Sequence, residues 1–438
     1  VWPRAQAPDA GELQLGLLDA GEGSADVLSA AGVDTVQVTE ATDLATLDGL
    51  GIGAKSLDAE AKTLLHALDL QQVMADGLRV LVFEQTEGYG GLKLDDPNAR
   101  YVFPRAPRHP LLAGLGEADL ANWRGQSTLT EPYPDAPDLH GRYPEEFWRW
   151  SNNGAVAGFA FEKPQRGAFA VLADCSFDLM YTPLMTWRVG RGEALLCQLD
   201  MTGRYGRDPV ATLLAHRMLE WLARPAEQAA VGEVAYIGGP EGRELLTQLG
   251  CTAREVAGGE DATGATLAVL GESIDPASLS VDALPATVLL LPQALPEAAE
   301  GLGLECEGAR FFRLQLPEMP GAALRGIAAA DVYLKQWLEA PALSGAHEGM
   351  TEPAVVGRVR VGDRAVYVCG IDPGAVEGQR QQAKALRLVA TTLSNAAAEA
   401  GAVLSTLDIC AENVEDGAED SPYAVTALTY NPYEYRRW

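Results

Sequence analysis

An internal repeat constrains this chain more than any other feature of its sequence. Six segments of the first half match six segments of the second half, in the same order and with similar gaps. One pair sets Gly114–Leu120 (GLGEADL) against Gly326–Val332 (GIAAADV). Because the repeat extends over lengths typical of a domain, it indicates two copies of one domain. The other pairs are Ala25–Val33 with Arg243–Cys251, Leu50–Asp58 with Leu267–Asp275, Arg79–Gln85 with Thr287–Gln293, Cys197–Asp200 with Cys369–Asp372, and Pro209–Ala223 with Gln379–Ser394.

Strand-like and helix-like patterns alternate within each copy. Leu78–Glu84 is a continuous apolar run, as expected of a central parallel strand that is buried on both faces. Asp58–Met74 has the spacing of one amphipathic helix, and Gly77 is the expected stop signal. The alternation predicts an α/β layer fold with a parallel sheet in each copy.

The predicted boundary between the copies is Arg224–Val231, where Pro225 follows a helical stretch. We therefore expect a linker at 1–10, a first domain at 11–224, a second domain at 231–400 and a C-terminal tail at 401–438. The first domain carries an insert at about 126–181 that is rich in proline, tryptophan and tyrosine, and we expect it to be a β insert. The tail contains two alternating segments that predict a short strand pair, Val403–Ile409 and Tyr423–Thr429.

The first residues also bear on what the chain is part of. They read Val1-Trp2-Pro3-Arg4, with neither an initiator methionine nor a signal-peptide pattern after them. We expect the chain to be a piece of a longer protein or a processed form.

The charge balance excludes several classes of partner. The 438 residues include 33 Lys+Arg and 61 Asp+Glu, which gives a net charge of −28. Such a chain is a poor partner for nucleic acid, since phosphate binding needs a basic face. An anionic membrane surface is excluded on the same ground, and no apolar run is long enough to span a bilayer.

The cysteines and histidines offer few metal or redox sites. The six cysteines lie far apart without a CxxC pair, and the chain has only five histidines. This spacing argues against a zinc ribbon or a redox pair, so we expect no metal and no cofactor. The sequence leaves the compartment open between the cytoplasm and secretion.

Two segments resemble a known domain family. His109–Gly125 (HPLLAGLGEADLANWRG) and Gly190–Arg204 (GRGEALLCQLDMTGR) are similar to segments of class I glutamine-amidotransferase-like domains, which have flavodoxin-like topology. More narrowly, they resemble such domains in multidomain bacterial glycoside hydrolases of the β-galactosidase or family 2 type, where these domains follow the catalytic barrel, like the trimerisation domain of some β-galactosidases. The resemblance covers about residues 100–222 and reaches the second copy only through the repeat. It implies two tandem flavodoxin-like domains and a carbohydrate-active parent, but by itself it gives this chain no activity.

The residues that an active class I glutaminase requires are missing. Such an enzyme needs a cysteine on the turn after the central strand, with a histidine and a glutamate later in the domain. The first copy has Glu84 and Gln85 at that turn, and the second has Pro292-Gln293-Ala294. No His-x-Glu follows Cys197–Asp200. The sequence therefore predicts no glutaminase activity.

Glu84 and Gln85 are nevertheless candidates for a relict pocket. They follow a predicted central strand, and ligands of doubly wound sheets bind at the carboxyl ends of the strands. The alternative is that these side chains only bond the nearby backbone.

Other acidic and thiol groups occur at matching positions of both copies. Asp119 matches Asp331, and Asp200 matches Asp372. A catalytic acid pair would not need duplicating, so the repetition favours structural roles such as helix caps. The matching cysteines of the two copies are interpreted as buried structural thiols. We therefore assign no catalytic residue.

The aromatic insert is the strongest candidate for a contact surface. Trp148 and Trp150 are two residues apart, which places both side chains on one face of a strand. Arg149, Arg142 and Tyr143 lie beside them. Such residues anchor protein interfaces and can stack on sugar rings, and the alternative is the core of a small β subdomain.

Two classes of function stay open. The first is a non-catalytic accessory module of a glycoside hydrolase, used for domain packing or oligomerisation. Its partners would be other domains of the parent or a second copy of this chain. The alternative is a region that binds carbohydrate or hydrolyses glycosides through the aromatic insert. A stand-alone amidase or hydrolase is the third hypothesis, so the sequence does not decide whether the chain is an enzyme.

Overall fold

The computed structural model describes residues 13–21, 23–130, 152–176, 179–224, 232–276, 279–318, 321–404 and 407–411. These residues form two α/β sheets and a separate two-stranded ribbon. The strands of the first half are β1 (Leu15–Leu18), β2 (Thr35–Gln37), β3 (Gly49–Ile52), β4 (Arg79–Val82), β5 (Leu94–Asp95), β6 (Val102–Pro104), β7 (Ala160–Glu162), β8 (Phe169–Cys175), β9 (Tyr181–Val189) and β10 (Gly192–Cys197). Those of the second half are β11 (Glu233–Ile237), β12 (Arg254–Glu255), β13 (Ala265–Leu270), β14 (Thr287–Leu290), β15 (Cys306–Arg313), β16 (Tyr333–Leu343), β17 (Val356–Val361) and β18 (Arg364–Cys369).

Eight α-helices accompany these strands in the described part of the chain. They are α1 (Ser24–Ala30), α2 (Ala59–Ala67), α3 (Leu70–Ala75), α4 (Met201–Arg204), α5 (Pro209–Ala223), α6 (Pro240–Gln248), α7 (Glu297–Gly301) and α8 (Gln379–Ala400).

The first sheet has the strand order of a flavodoxin-like fold. Its parallel part runs β2-β1-β3-β4-β10. The second strand along the chain therefore lies at the edge of the sheet, and the first strand lies between it and β3. In the centre, Leu81 of β4 lies opposite Leu195 of β10, and both are buried. Beyond β10 the sheet continues with antiparallel strands, β9 and β7 among them. The prediction of a flavodoxin-like α/β fold is confirmed.

The second sheet repeats this order. Its parallel part runs β12-β11-β13-β14-β18, and β17 adds an antiparallel edge strand. The matching segments β4 and β14 occupy the same fourth place in their sheets. The exact domain boundaries stay a prediction.

Short-range chemistry explains where the helices begin and where one of them breaks. The Asp208 carboxylate accepts hydrogen bonds from the amides of Val210 and Ala211, and Pro209 stands at the first helical position of α5. The prediction of one helix over Asp58–Met74 is wrong, because α2 and α3 are separate. Asp69 between them has φ 53, a left-handed conformation that aspartate tolerates better than most residues.

The two halves share a hydrophobic core. One buried cluster contains Phe169 and Trp187 from the first half together with Leu249 and Leu393 from the second. Hydrogen bonds cross the same boundary. The Ser394 hydroxyl donates to the Phe169 carbonyl at 2.7 Å, and the Gly167 amide donates to the Leu249 carbonyl at 3.0 Å.

A buried ion-pair network joins the halves beside this core. The Lys163 Nζ atom lies 2.7 Å from Asp174 Oδ1 in its own half and 3.5 Å from Asp331 Oδ1 in the other half. Arg387 reaches the same Asp331 oxygen at 3.0 Å, and Arg105 pairs with Asp174 Oδ2 at 2.6 Å. Since these carboxylates are buried, each depends on its cations for compensation.

The described residues include part of the insert and the beginning of the tail. The described residues of the insert include β7 and β8, as a β insert requires. Its five candidate contact residues, Trp148, Trp150, Arg149, Arg142 and Tyr143, lie outside the described residues. In the tail, residues 403–404 and 407–411 form no strand, so the strand prediction for Val403–Ile409 is wrong there. The alternating residues Leu404, Leu407 and Ile409 are buried in the shared core, and Tyr423–Thr429 lies outside the described residues.

Candidate functional site

Polar side chains converge at the carboxyl ends of β4 and β10. Glu84 and Gln85 follow β4, while Gln198 and Asp200 follow β10. All four side chains are buried. The parallel pairing of β4 with β10 brings these distant segments to one edge of the sheet, where doubly wound folds bind ligands.

Glu84 is a buried carboxyl group with an incomplete set of partners. Its Oε1 atom accepts hydrogen bonds from the Thr202 amide at 2.8 Å and from the Thr202 hydroxyl at 2.5 Å. The Oε2 atom has no hydrogen-bond partner among the described residues. Burial and, as the second cause, the nearby Asp200 carboxylate together raise the pKa of Glu84 to about 7, against the hydrogen bonds from Thr202, which lower it. The group is therefore poised between its neutral and charged forms near neutral pH.

Gln85 is fixed by the backbone around it. Its Nε2 atom donates to the carbonyl oxygens of Gly53 and Phe83, both at 2.8 Å, and its Oε1 atom accepts from the Leu57 amide at 3.1 Å. Its own amide donates to Gln198 Oε1 at 3.0 Å. These bonds tie the ends of β3, β4 and β10 together, and both Gln85 amide donors are already used.

Asp200 and Arg204 form a second buried unit next to Glu84. Arg204 Nε lies 3.1 Å from Asp200 Oδ2, and its terminal nitrogens donate to the carbonyl oxygens of Arg124 and Ala155. The Thr128 hydroxyl donates to Asp200 Oδ1 at 3.0 Å. The pair therefore ties the start of the insert, at Arg124 and Thr128, and a later segment of it, at Ala155, to the chain that follows β10. Sequence reasoning missed Thr202 and Arg204, although both belong to the CQLDMTGR segment that carried the family resemblance.

The thiols near this edge are not poised for nucleophilic attack. Cys197 is fully buried, and burial, with the Glu84 charge as a second cause, holds the pKa of its thiol well above the usual value. Burial likewise raises the pKa of Cys369 to about 11. Nucleophilic cysteines need accessible thiolates, so these two fit the expected structural role.

The chain's own carboxylates occupy the helix starts that follow the first strand of each sheet. Glu272 accepts hydrogen bonds from the amides of Glu241 and Gly242 at the start of α6, at 2.6 and 2.9 Å. Asp19 accepts from the Ala25 amide near the start of α1. Although burial opposes it, the backbone amides hold the pKa of Glu272 below its usual value. Phosphate groups of nucleotides bind at such helix starts in other α/β proteins, and here those amides are taken.

The described residues offer no clear metal site. Within these ranges no three His, Cys, Asp or Glu side chains are grouped to hold an ion. His216 bonds the Tyr205 hydroxyl at 2.8 Å, and His347 bonds the Ser344 carbonyl. In the same part of the chain, no helix is long and apolar enough to cross a membrane.

Comparison with known proteins gives weak likenesses only. No protein-family model matches the sequence. No curated protein matches it either. Among solved structures, a cytoplasmic protein of Salmonella typhimurium is 12% identical, with a TM-score of 0.31, covering 48% of this chain and 98% of that one. A protein of Thermoplasma acidophilum, provisionally named as part of a GMP synthase, is 16% identical, with a TM-score of 0.28, covering 47% and 94%. A second Salmonella typhimurium cytoplasmic protein is 10% identical, with a TM-score of 0.29, covering 45% and 83%. TM-scores this low carry no argument about function.

Proposed function

We propose that the chain is a non-catalytic accessory module, in which two amidotransferase-like halves pack into one unit that positions or oligomerises a carbohydrate-active parent enzyme. The observation that carries the non-catalytic part is the closed site at the end of β4. A glutaminase would present a thiolate there, whereas this chain presents the buried Glu84 bonded to Thr202. The glycoside hydrolase parent rests on the sequence resemblance alone.

The packing of the halves supports a structural role. A shared core and the buried ion pairs around Asp331 hold the two sheets together. Such an arrangement gives a rigid body with fixed outer surfaces, which suits a spacer or an assembly module. The candidate interface residues Trp148 and Trp150 belong to the insert of this body.

An ammonia-release assay with glutamine tests the non-catalytic part. We expect no turnover above the buffer rate, because neither strand end carries a nucleophile. Turnover that disappears in Cys197→Ala or Cys369→Ala would contradict the proposal and would favour the stand-alone amidase hypothesis. Turnover that survives both substitutions would point to a contaminating enzyme.

The accessory role is tested in the parent protein. Trp148→Ala combined with Trp150→Ala is compared with the unmodified protein by light scattering and by thermal melting. Loss of assembly at an unchanged melting temperature supports an interface. A lower melting temperature with unchanged assembly means that the tryptophans belong to a core, and the interface assignment is then wrong.

An exposed aromatic cluster favours carbohydrate binding as a second candidate function. On the ribbon of β15 and β16, the side chains of Trp337 and Phe312 are 62% and 37% exposed, and their ring centroids lie 5.6 Å apart. Arg310 lies over the Trp337 ring, and Tyr333 contacts Phe312. Exposed aromatic faces of this kind can stack on sugar rings.

Affinity electrophoresis in gels that contain soluble polysaccharides tests this second function. We expect a retarded band for the unmodified chain and normal mobility for Trp337→Ala. Tyr101→Ala is the matched control, since Tyr101 is an exposed aromatic residue outside the ribbon. Equal mobility of all three proteins in every gel would exclude this surface.

A further inference from the structure

A cavity of about 900 Å³ lies where the two halves meet, away from the strand ends described above. The first half contributes the start of β4, the turn between β9 and β10 and the end of α5. The second half contributes β17, β18 and the end of α8. Six of its lining residues are arginines, namely Arg79, Arg188, Arg191, Arg224, Arg325 and Arg358.

The charge of this cavity is opposite to that of the chain. Its six arginines face two carboxylates, Glu193 and Glu399, which leaves an excess of four positive charges in a chain of net charge −28. Concave sites of one sign raise the local concentration of ligands of the opposite sign.

Pairing within the cavity leaves part of this charge uncompensated. Glu399 is already engaged, because it accepts from Arg358 and from the Tyr367 hydroxyl, both at 2.6 Å. Arg191 pairs with Asp76 at 3.2 Å. The guanidinium groups of Arg224 and Arg325 are different, since neither makes a hydrogen bond or ion pair with any described residue.

The backbone of each of these arginines is fixed by a hydrogen bond from a side chain of the same half. Arg79 donates to the carbonyl oxygens of Trp221 and Arg224, at 2.7 and 2.9 Å. The buried Asn395 donates to the carbonyl oxygens of Ala323 and Arg325, at 2.9 and 3.0 Å. Fixed backbone on each side lowers the cost of ordering the site when a ligand arrives.

The guanidinium groups of Arg224 and Arg325 both affect the same side chain in the cavity, the imidazole of His109. Burial, together with the charges of Arg325 and Arg224, lowers the pKa of His109 to about 4. The imidazole is therefore neutral at pH 7 and accepts from the Leu111 amide through Nδ1. An anion between the arginines would offset their field and raise the pKa of this histidine.

We propose that this cavity is a binding site for a small polyanion, with Arg224 from the first half and Arg325 from the second half as its main contacts. Planar guanidinium groups bind phosphate and carboxylate oxygens with paired hydrogen bonds. An anion with two or more negative charges can engage both halves at once. The site would then couple ligand binding to the packing of the halves.

Isothermal titration calorimetry with pyrophosphate and with citrate tests the proposal, at constant ionic strength. We expect one binding event per chain with a dissociation constant below about 1 mM for at least one probe. Binding of pyrophosphate alone identifies phosphate chemistry, and binding of citrate alone identifies carboxylate chemistry. In Arg224→Gln and Arg325→Gln we expect affinities at least about tenfold weaker.

The control is Arg243→Gln, which removes an exposed arginine paired with Glu255 on the surface of the second half. Its affinity should match that of the unmodified chain. Equal weakening in this control would mean nonspecific attraction, and no heat from either probe up to about 10 mM would likewise overturn the proposal. Circular dichroism of each variant checks that it is folded. The His109 imidazole, followed by NMR, should titrate at a higher pH when the effective probe is present, and an unchanged titration places the ligand elsewhere.

Discussion

At the scale of single residues, Glu84 is the clearest departure from ordinary chemistry. It is a carboxyl group in a fully buried place, with one oxygen bonded twice and the other without a partner in the described part of the chain. In a cleft, such a perturbed acid would suggest catalysis. Here it is covered, so its main effect falls on stability.

We expect Glu84→Gln to remove a pH-dependent loss of stability. Because the pKa of Glu84 is raised from 4.5 to about 7 in the folded chain, the folded state holds this proton more tightly than the unfolded state. Stability therefore falls as the pH rises from 4.5 to 7. The glutamine variant lacks this pH dependence. The difference in the free energy of unfolding between the variant and the unmodified chain should therefore shift by about 3 kcal/mol in favour of the variant between pH 4 and pH 8.

Urea unfolding at several pH values measures this effect. Glu87→Gln is the control, since Glu87 is exposed and three residues away. Parallel stability curves for the Glu84 variant and the unmodified chain would show that Glu84 titrates normally.

The sequence predicted the position of Glu84 but not its environment. The apolar run that ends at Glu84 was enough to place it at the end of a central strand. Its partner Thr202 is 118 residues away, and only the pairing of β4 with β10 brings them together. Contacts of such long range are not encoded in local spacing.

At the scale of elements, the turn that ends at Asp119 in the first half has a counterpart that ends at Asp331 in the second half, and the two aspartates have different further contacts. In the first half the Gly116 amide donates to Asp119, and in the second half the Ala328 amide donates to the matching Asp331, each at 2.8 Å. This agrees with the structural role predicted from the duplication. Only Asp331 also meets the buried cations Lys163 and Arg387.

Asp331→Asn should therefore be far more harmful than Asp119→Asn. The first variant leaves Lys163 and Arg387 without a shared anion and should cost about 3–5 kcal/mol. The second alters a partly exposed turn and should cost about 1 kcal/mol or less. Urea unfolding at pH 7 compares the two, and similar losses would mean that Asp331 serves only its turn.

The pH dependence gives an independent check on Asp331. Burial opposes ionisation, but Lys163 and Arg387 together with the local hydrogen bonds hold the pKa of Asp331 below 3.8. The stability that this carboxylate contributes is present above pH 3.8 and is lost as the pH falls through the lower folded value. The difference between the Asp331 variant and the unmodified chain should shrink under those acidic conditions.

Most elements followed from the sequence, and the failures have physical causes. The apolar run Leu78–Glu84 predicted β4, and its repeat match Thr287–Gln293 predicted β14, because buried parallel strands need no alternation. The break between α2 and α3 was missed, since a single left-handed residue, Asp69, interrupts an otherwise continuous helical pattern. The strand predicted at Val403–Ile409 does not form in the described residues 403–404 and 407–411, whose apolar side chains Leu404, Leu407 and Ile409 pack into the core instead.

At the scale of the whole molecule, the shared core makes the halves interdependent. The prediction that follows is a single unfolding transition. We expect calorimetry to give equal calorimetric and van't Hoff enthalpies, because neither half keeps its buried surface when the other is lost. Two separate transitions would show that the halves fold alone. Expression of residues 13–224 and 232–411 as separate chains offers a second test, and each should be less stable than in the whole chain.

The repeat predicted the overall topology, since two copies of one strand order give two similar sheets. The arginine cavity could not be predicted in this way. Its lining residues are scattered from Arg79 to Glu399. Even those in the segments that resemble the amidotransferase-like family, such as His109 and Arg191, give no sign in the sequence that they meet. Only the packing of one half on the other assembles them.

The carboxylate of Glu272 has a consequence for any attempt to find a nucleotide ligand. Because it is covalently tethered to the chain, it competes for the α6 amides at an effective concentration of about millimolar or higher. A free phosphate of comparable intrinsic affinity would have to exceed that concentration to displace it. Soaking or titration with nucleotides should leave this helix start unoccupied unless the glutamate is first substituted.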